Sequence, residues 1–383
     1  MLQITNATIH TPGRVIPRGS VVIDGSRIVV AGAAGDVPVA SGATLINAGG
    51  MILVPGFIDL QLNGAFGHDF TADPSTIWRV AEGLPRYGVT AFLPTIITSP
   101  LERVEAGMRV VKEGRPEDFR GAAPLGLHVE GPFLNPKKKG AHNQQYLRPP
   151  TPEAVAGWSP ASGVCLVTMA PENPGALEVI AALASRGVVV STGHSMATYD
   201  EAVAGFDAGA RYGTHLFNAM PALGHRDPGL PGALLADDRM TVGFIADGVH
   251  THRSIIALVW RMLGPKRMSL VTDAMAALGM PPGSHRLGDY DVIVDATSCR
   301  LADGTLAGSI LELDQALRNL LDITGCTLDE ALETMTTTPA KLLGLDGERG
   351  RIAPGYTADI VLLSSDLRVQ TTIASGDIVY SAA

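Results

Sequence analysis

Val188-Val-Val-Ser-Thr-Gly-His194 is a short, β-branched run that ends in an imidazole. Three other runs share its build: Leu125-Gly-Leu-His-Val-Glu130, Tyr212-Gly-Thr-His215 and Leu270-Val-Thr-Asp273. Runs of this length and composition read as buried strands. If such strands are parallel and close into a barrel, their C-terminal ends meet on one face. One Glu, two His and one Asp would then share a pocket. That is the ligand set and the base of a metal-dependent hydrolase.

Working outward, strand-like and helix-like segments alternate from Val54 to Leu345. The strands read as Gly56–Leu62, Val89–Ile97, Leu125–Glu130, Val164–Ala170, Val188–His194, Tyr212–His215, Thr241–Ala246 and Met268–Asp273. Helices are expected at Pro74–Tyr87, Leu101–Glu113, Gly175–Arg186, Thr198–Ala208 and Thr251–Leu263, and later at Ile310–Ile323 and Thr327–Met335. Such alternation predicts an α/β protein with a parallel sheet, and eight strands predict a (β/α)8 TIM-like barrel. An open doubly wound sheet is the rival, but no GxGxxG follows a strand, so a nucleotide site is not supported. Both ends differ from the middle. Leu2–Asn6, Ser20–Asp24 and Arg27–Ala31 near the start, with Asp359–Leu363, Val369–Ile373 and Ile378–Tyr380 near the end, read as strands between turns. The expected organisation is a small β-sandwich domain from residues 1–53 plus 347–383, and a catalytic barrel over 54–346.

Hydrophobic residues make up 46% and charged residues 17% of the 383, which fits a globular chain with a large core. The net charge of −9 comes without a basic stripe, so nucleic acid is not an expected partner. No run reaches the ~20 apolar residues of a membrane span. The start has no basic segment followed by an apolar one, so no signal peptide is expected. Cys165, Cys299 and Cys326 are too scattered for a zinc knuckle or a disulfide framework. A soluble cytoplasmic protein is the expectation.

Glu130, His194 and His215 offer imidazole and carboxylate donors for a divalent ion, with a position left for water. A single His after a strand usually has a structural role; three ligands together at corresponding strand ends reverse that reading. Asp273 can take a proton from the activated water and return it to a leaving group, or it can be a helix N-cap. His250 can donate to a substrate oxygen or hold a loop. Asp247 reads as a turn residue. In Lys137-Lys-Lys-Gly-Ala-His142 the first two lysines read as solvated loop, and His142 as a candidate substrate contact. Arg226 sits on a Gly/Pro-framed loop suited to phosphate or carboxylate, though on local sequence alone an ordinary surface ion-pair residue is the better reading. The amides near Asn218 and Ala219 can add to an anion nest.

These stretches resemble the N-acetylglucosamine-6-phosphate deacetylases of the amidohydrolase superfamily. The resemblance is carried by Val54-Pro-Gly-Phe-Ile-Asp59, His128-Val-Glu-Gly-Pro-Phe133, Lys138-Lys-Gly-Ala-His142, Thr214-His-Leu-Phe-Asn-Ala-Met-Pro221, Asp247-Gly-Val-His250, Leu306-Ala-Gly-Ser309 and Gly350-Arg-Ile-Ala-Pro-Gly355, in the family's order. It implies that Glu130, His194 and His215 bind metal and that Asp273 is the general acid/base. It implies that His142 and His250 contact the sugar or its amide. It places Asn218, Ala219 and Arg226 at the phosphate, with Arg226 able to come from the neighbouring subunit of a homodimer. Many amidohydrolases carry His-x-His at the end of strand one and hold a second metal there. Here the position reads Gln61-Leu-Asn63, and neutral amides are poor ligands for a divalent transition metal. One metal per subunit is therefore expected, Zn2+ first, with Fe2+ and Co2+ equally suited to a His2Glu set. The implied reaction is hydrolysis of N-acetylglucosamine 6-phosphate to glucosamine 6-phosphate and acetate. Two other readings stand open: the same chemistry on N-acetylgalactosamine 6-phosphate or an N-acyl amino acid, and a non-catalytic binding member of the fold.

Overall fold

The computed structural model describes residues 1–382. Its centre is a parallel sheet whose strands follow one another in chain order. They are β1 (Phe57–Leu62), β2 (Val89–Ile97), β3 (Leu127–Glu130), β4 (Val164–Met169), β5 (Val189–Thr192), β6 (Tyr212–Gly213), β7 (Thr241–Phe244) and β8 (Met268–Leu270). A two-residue strand, Ala123–Pro124, lies alongside β2. The circle closes between the ends of β8 and β1. Asp273 N donates to Gln61 O at 2.9 Å and Asn63 N to Ala274 O at 2.7 Å, and Leu62 bridges Ala274 in parallel. Each of the eight expected strands is present, and the barrel is the expected one.

Helices cover the outside: α1 (Ile77–Gly83), α2 (Leu101–Glu113), α3 (Ala176–Ser185), α4 (Tyr199–Ala208), α5 (Gly229–Ala236), α6 (Arg253–Arg267) and α7 (Leu313–Thr324). The expected helix Pro74–Tyr87 is broken into a 3-10 turn, α1 and a second 3-10 turn that contains Pro85. Proline lacks the N–H that a continuous helix needs at that point. Helix α5 was not expected: Gly-Leu-Pro-Gly-Ala-Leu-Leu-Ala has no polar face and is almost wholly buried, so no amphipathic period marks it. Between β3 and β4 there is no α-helix, only a long connection with four 3-10 turns. That connection carries Lys137–Lys139 and His142.

The segments from both ends form one eight-stranded sheet. Strand Ile360–Leu363 pairs antiparallel with Ile52–Pro55, which ties the two ends together. Side chains alternate across a strand, and here the alternation serves two cores. Val54, Val361 and Leu363 pack into the barrel's apolar cluster. Leu53, Ile360 and Leu362 pack into a second cluster with Ile4, Ile9, Val21 and Ile23. A third sheet was not expected. Gly283–Leu287, Tyr290–Val294 and Cys299–Arg300 form an antiparallel meander after β8, with its own small core of Leu287, Val292, Val294 and Cys299 against Ile97 and Met275. No helix among the described residues is long and apolar enough to cross a membrane.

Candidate metal centre and active site

Glu130 is the last residue of β3, and His194, His215 and Asp273 follow the ends of β5, β6 and β8 by two or three residues. The strands stop short of the expected ends because the backbone leaves the β region there. His194, His215 and Asp273 have φ of +48°, +31° and +49°. Non-glycine residues in this region cost on the order of 1–3 kcal/mol each and cluster at functional sites. The turns aim all four side chains into a single cavity of about 480 Å³. Glycine at 131 is required: φ is +90°, and a Cβ there would overlap the Thr98 hydroxyl.

Glu130, His194 and His215 are buried and close-set. Glu130 Oε1 lies 3.1 Å from His194 Nε2 and 3.1 Å from His215 Nε2, and the two nitrogens are 3.1 Å apart. His194 Nδ1 faces the Lys138 carbonyl at 2.8 Å. A carbonyl only accepts, so Nδ1 carries the proton and Nε2 turns its lone pair to the centre. Burial pushes the Glu130 carboxyl up in pKa, but the two imidazoles set against it outweigh burial and hold the group well below the ordinary range. An anionic oxygen and imidazole lone pairs pointing at one another need a cation between them. Ligands at ~2.1 Å from a tetrahedral ion stand ~3.3 Å apart, close to the spacing found. The donor set fits a divalent metal.

Asp273 is 9% exposed and lies beside this trio. Asn63 Nδ2 donates to its Oδ1 at 2.7 Å and Gln61 Nε2 at 3.1 Å. Gln61 Nε2 also donates to Glu130 Oε1 at 3.2 Å. Gln61 thus bridges the two carboxylates from behind, and Asn63 lines the cavity. Burial, reinforced by the charge of Glu130, raises the Asp273 carboxyl to about 6, a value suited to a group that both accepts and returns a proton near neutral pH.

His142 and His250 line the same cavity. The Thr98 backbone N–H donates to His142 Nδ1 at 3.2 Å. Burial, together with the nearby His194, lowers the His142 pKa well below its ordinary value. The ring is therefore neutral, with its proton on Nε2, which stands 3.9 Å from Glu130 Oε2. His250 Nδ1 is 2.6 Å from Asp247 Oδ2. Asp247 is the expected turn residue, accepting from the backbone of Val249 and His250 at 2.8 Å each. It also fixes the ring of His250, a role not read from the sequence.

Asn218 and Ala219 line the cavity. The Asn218 N–H is committed to the His215 carbonyl at 2.9 Å. The Ala219 N–H has no acceptor among the described residues, and φ at 219 is +52°. Arg226 is not in this cavity. It is exposed, with Nη1 2.7 Å from the His225 ring, so the structure does not bring it to the other expected phosphate contacts within one chain. Lys137 and Lys138, read as solvated loop, belong to the cavity's mouth with Lys139. The meander and the segment after it supply Leu287, Asp303, Thr305, Leu306 and Gly308, of which only Leu306-Ala-Gly-Ser309 carried a sequence signal.

Under the site runs a polar layer that sequence reading also missed. His128 and Glu130 share the inward face of β3. His128 Nε2 is 2.7 Å from Thr168 Oγ1, which is 2.7 Å from Thr214 Oγ1, which is 2.5 Å from Ser191 Oγ. Burial lowers the His128 pKa to about 4, so this ring is neutral too. The period-2 rule applied to His-Val-Glu would have found it.

A model of the amidohydrolase family matches residues 52–379. An N-acetylglucosamine-6-phosphate deacetylase of Rattus norvegicus is 43% identical over 352 residues, covering 88% of this chain and 85% of that protein. A Bacillus subtilis protein of the same name is 35% identical over 335 residues, covering 86% of this chain and 85% of its own. A mutant N-acetyl-D-glucosamine-6-phosphate deacetylase of Mycobacterium smegmatis, solved with N-acetyl-D-glucosamine-6-phosphate, superposes with a TM-score of 0.91 at 36% identity and covers 99% of both chains. The chain belongs to the amidohydrolase family, among the N-acetylglucosamine-6-phosphate deacetylases.

Proposed function

We propose that this chain hydrolyses the N-acetyl group of N-acetylglucosamine 6-phosphate, yielding glucosamine 6-phosphate and acetate. The observation that carries the reading is the buried Glu130–His194–His215 trio with Asp273 beside it, in a chain 43% identical to a named deacetylase. The trio would hold one divalent ion per subunit, Zn2+ first, with Fe2+ or Co2+ as alternatives. When bound, such an ion supplies a Lewis acid and lowers the pKa of water toward neutrality. Asp273 accepts the proton of the attacking water and delivers it to the departing amine. Gln61 and Asn63 hold the carboxylate in place for both transfers. His250, fixed by Asp247, and His142, through its Nε2–H, donate to the acetyl oxygen or to sugar hydroxyls. The free Ala219 N–H and the Asn218 side chain line the side on which the phosphate would sit. We read residues 1–53 with 347–383 as one domain and 54–346 as the other, with catalysis confined to the second. The three free cysteines suit a reducing, cytoplasmic setting.

Arg226 would act in the neighbouring subunit of a homodimer. Its absence from its own cavity favours this, as do exposed apolar residues on the same side of the barrel. Leu223 is 50% exposed, and Leu258 and Met262 on α6 are 48% and 50% exposed; α5 packs against both α4 and α6, so these residues share one side of the barrel.

Two experiments test the reading. Asp273→Asn should cut acetate release by ~10² or more while the fold and the metal content are retained; near-normal turnover would remove Asp273 from the mechanism. Co-expressing an Asp273→Asn chain with an Arg226→Ala chain should restore activity in the hybrid dimer, because one intact site then receives Arg226 across the interface. No restoration would place Arg226 outside the neighbouring site.

A further inference from the structure

Back to back with the candidate active site, across a wall made by Ile97 and Ala141, lies a second cavity of about 280 Å³. It opens at the N-terminus of α2, a helix of 13 residues whose N-cap, Pro100, makes no side-chain cap. Arg103 N donates to Pro100 O at 2.9 Å, but the N–H groups of Leu101 and Glu102 have no acceptor among the described residues. Uncapped N–H groups at the positive end of a helix attract anions.

An independent feature points the same way. Ser99 lines this cavity, is only 6% exposed, and its Oγ is buried without a hydrogen-bond partner. A buried hydroxyl is expensive to leave unpaired, and such groups ask for an unseen partner. Two guanidinium groups face the same space. Arg103 makes no side-chain ion pair or hydrogen bond among the described residues. Arg286 has only long contacts, 3.5 Å each to Asp291 Oδ1 and the Gly288 carbonyl. The nearby carboxylates have hydrogen-bond donors of their own. Asp289, on the wall, takes a hydrogen bond from Asn143 at 2.8 Å. Asp69, beneath it, accepts from the Ala72 and Gly288 amides at 2.7 and 2.8 Å. Glu102, in the first turn, is exposed and does not line the cavity. Tyr146 and Tyr290 form the remaining sides and leave room beyond an anionic head.

We propose that this cavity is a second anion site that binds a phosphate group, as inorganic phosphate or as the head of a small phosphate ester. Ser99 Oγ donates to its oxygens, Arg103 and Arg286 balance its charge, and the positive end of α2 adds to the field. The site is separate from the catalytic one, shares only the Ile97–Ala141 wall with it, and does not depend on the deacetylase reading.

The test uses the metal-loaded protein. Crystals soaked in tungstate, a heavy phosphate mimic, should show an anomalous peak within hydrogen-bonding distance of Ser99. Calorimetric titration with inorganic phosphate, and separately with a hexose phosphate, should give a binding step that weakens at least about tenfold in the Arg103→Ala/Arg286→Ala protein. Ser99→Ala, a change small enough to leave the fold intact, should weaken it about fivefold. Tighter binding of the ester would assign the tyrosine-lined space to its body, and equal binding would assign the site to phosphate alone; either supports the proposal. No peak in the cavity, or binding unchanged in both Ser99→Ala and the double variant, overturns it.

Discussion

Asp59, at the seam where β8 meets β1, should make the protein less stable as pH rises, and Asp59→Asn should abolish that effect. The carboxyl is fully buried. Its Oδ1 accepts from the Gln61 and Thr272 amides at 3.1 and 3.3 Å, and its Oδ2 stands 2.6 Å from Thr272 Oγ1. Burial, only partly offset by these hydrogen bonds and increased by the charge of Asp273, lifts its pKa from 3.8 to about 7. The folded value lies above the unfolded one, so the native chain holds this proton longer. The stabilisation is therefore complete below pH 3.8 and is lost as pH rises through about 7. Linkage over that interval amounts to about 4 kcal/mol, of which about 3 kcal/mol falls between about pH 5 and about pH 8.5. Asparagine keeps the shape: its oxygen accepts from both amides and its nitrogen donates to Thr272 Oγ1. Urea unfolding of both metal-loaded proteins at the two pH values reads the double difference directly. Asp59→Asn should gain about 3 kcal/mol on the wild type between the low and the high pH. A difference that does not change with pH would refute the argument, as would wild-type stability that rises through neutrality for reasons the variant does not share.

Three further outcomes follow from the site. Stripping the metal with a chelator should abolish turnover and lower stability by about 3 kcal/mol relative to protein kept at a hundredfold excess over Kd; activity should return with one equivalent of Zn2+, and a need for two would contradict the single-metal reading. His142→Ala removes a neutral Nε2–H donor and should reduce kcat/KM by about 10², with metal content measured in parallel; a loss of metal instead would make His142 a ligand. Gln61→Leu takes a donor from both Glu130 and Asp273 and should lower kcat about tenfold or more at unchanged metal stoichiometry; an unaffected kcat would show that neither carboxylate relies on it.

The barrel was legible because β-branched runs and amphipathic helices alternate in Val89–Ile97, Leu101–Glu113 and their successors. The convergence of Glu130, His194, His215 and Asp273 on one cavity was legible for the same reason, since chain order fixed which strand ends face one another. Three things were not. Helix α5 is apolar on every side, so periodicity is silent. The meander of residues 283–300 builds a cavity wall by strand pairing that no motif announces. The positive φ at His194, His215 and Asp273 is a conformation that even His and Asp adopt only in a minority of cases, so the sequence placed the strand ends too late. Arg226 shows a different limit, because no pattern within one chain states which copy's cavity a side chain serves.

The strand Ile360–Leu363 faces two cores and pairs with Ile52–Pro55 across some three hundred positions of chain. During synthesis its partner is made early and must wait. Until residues 360–363 emerge, Ile52–Pro55 keeps an open edge, and both apolar clusters lack part of their lining. Contacts this distant in sequence form slowly, and unpaired edges invite association between chains. The nascent chain is thus most exposed to aggregation just before its last strands appear, so a ribosome stall late in the message would do more harm than one in the barrel's first half.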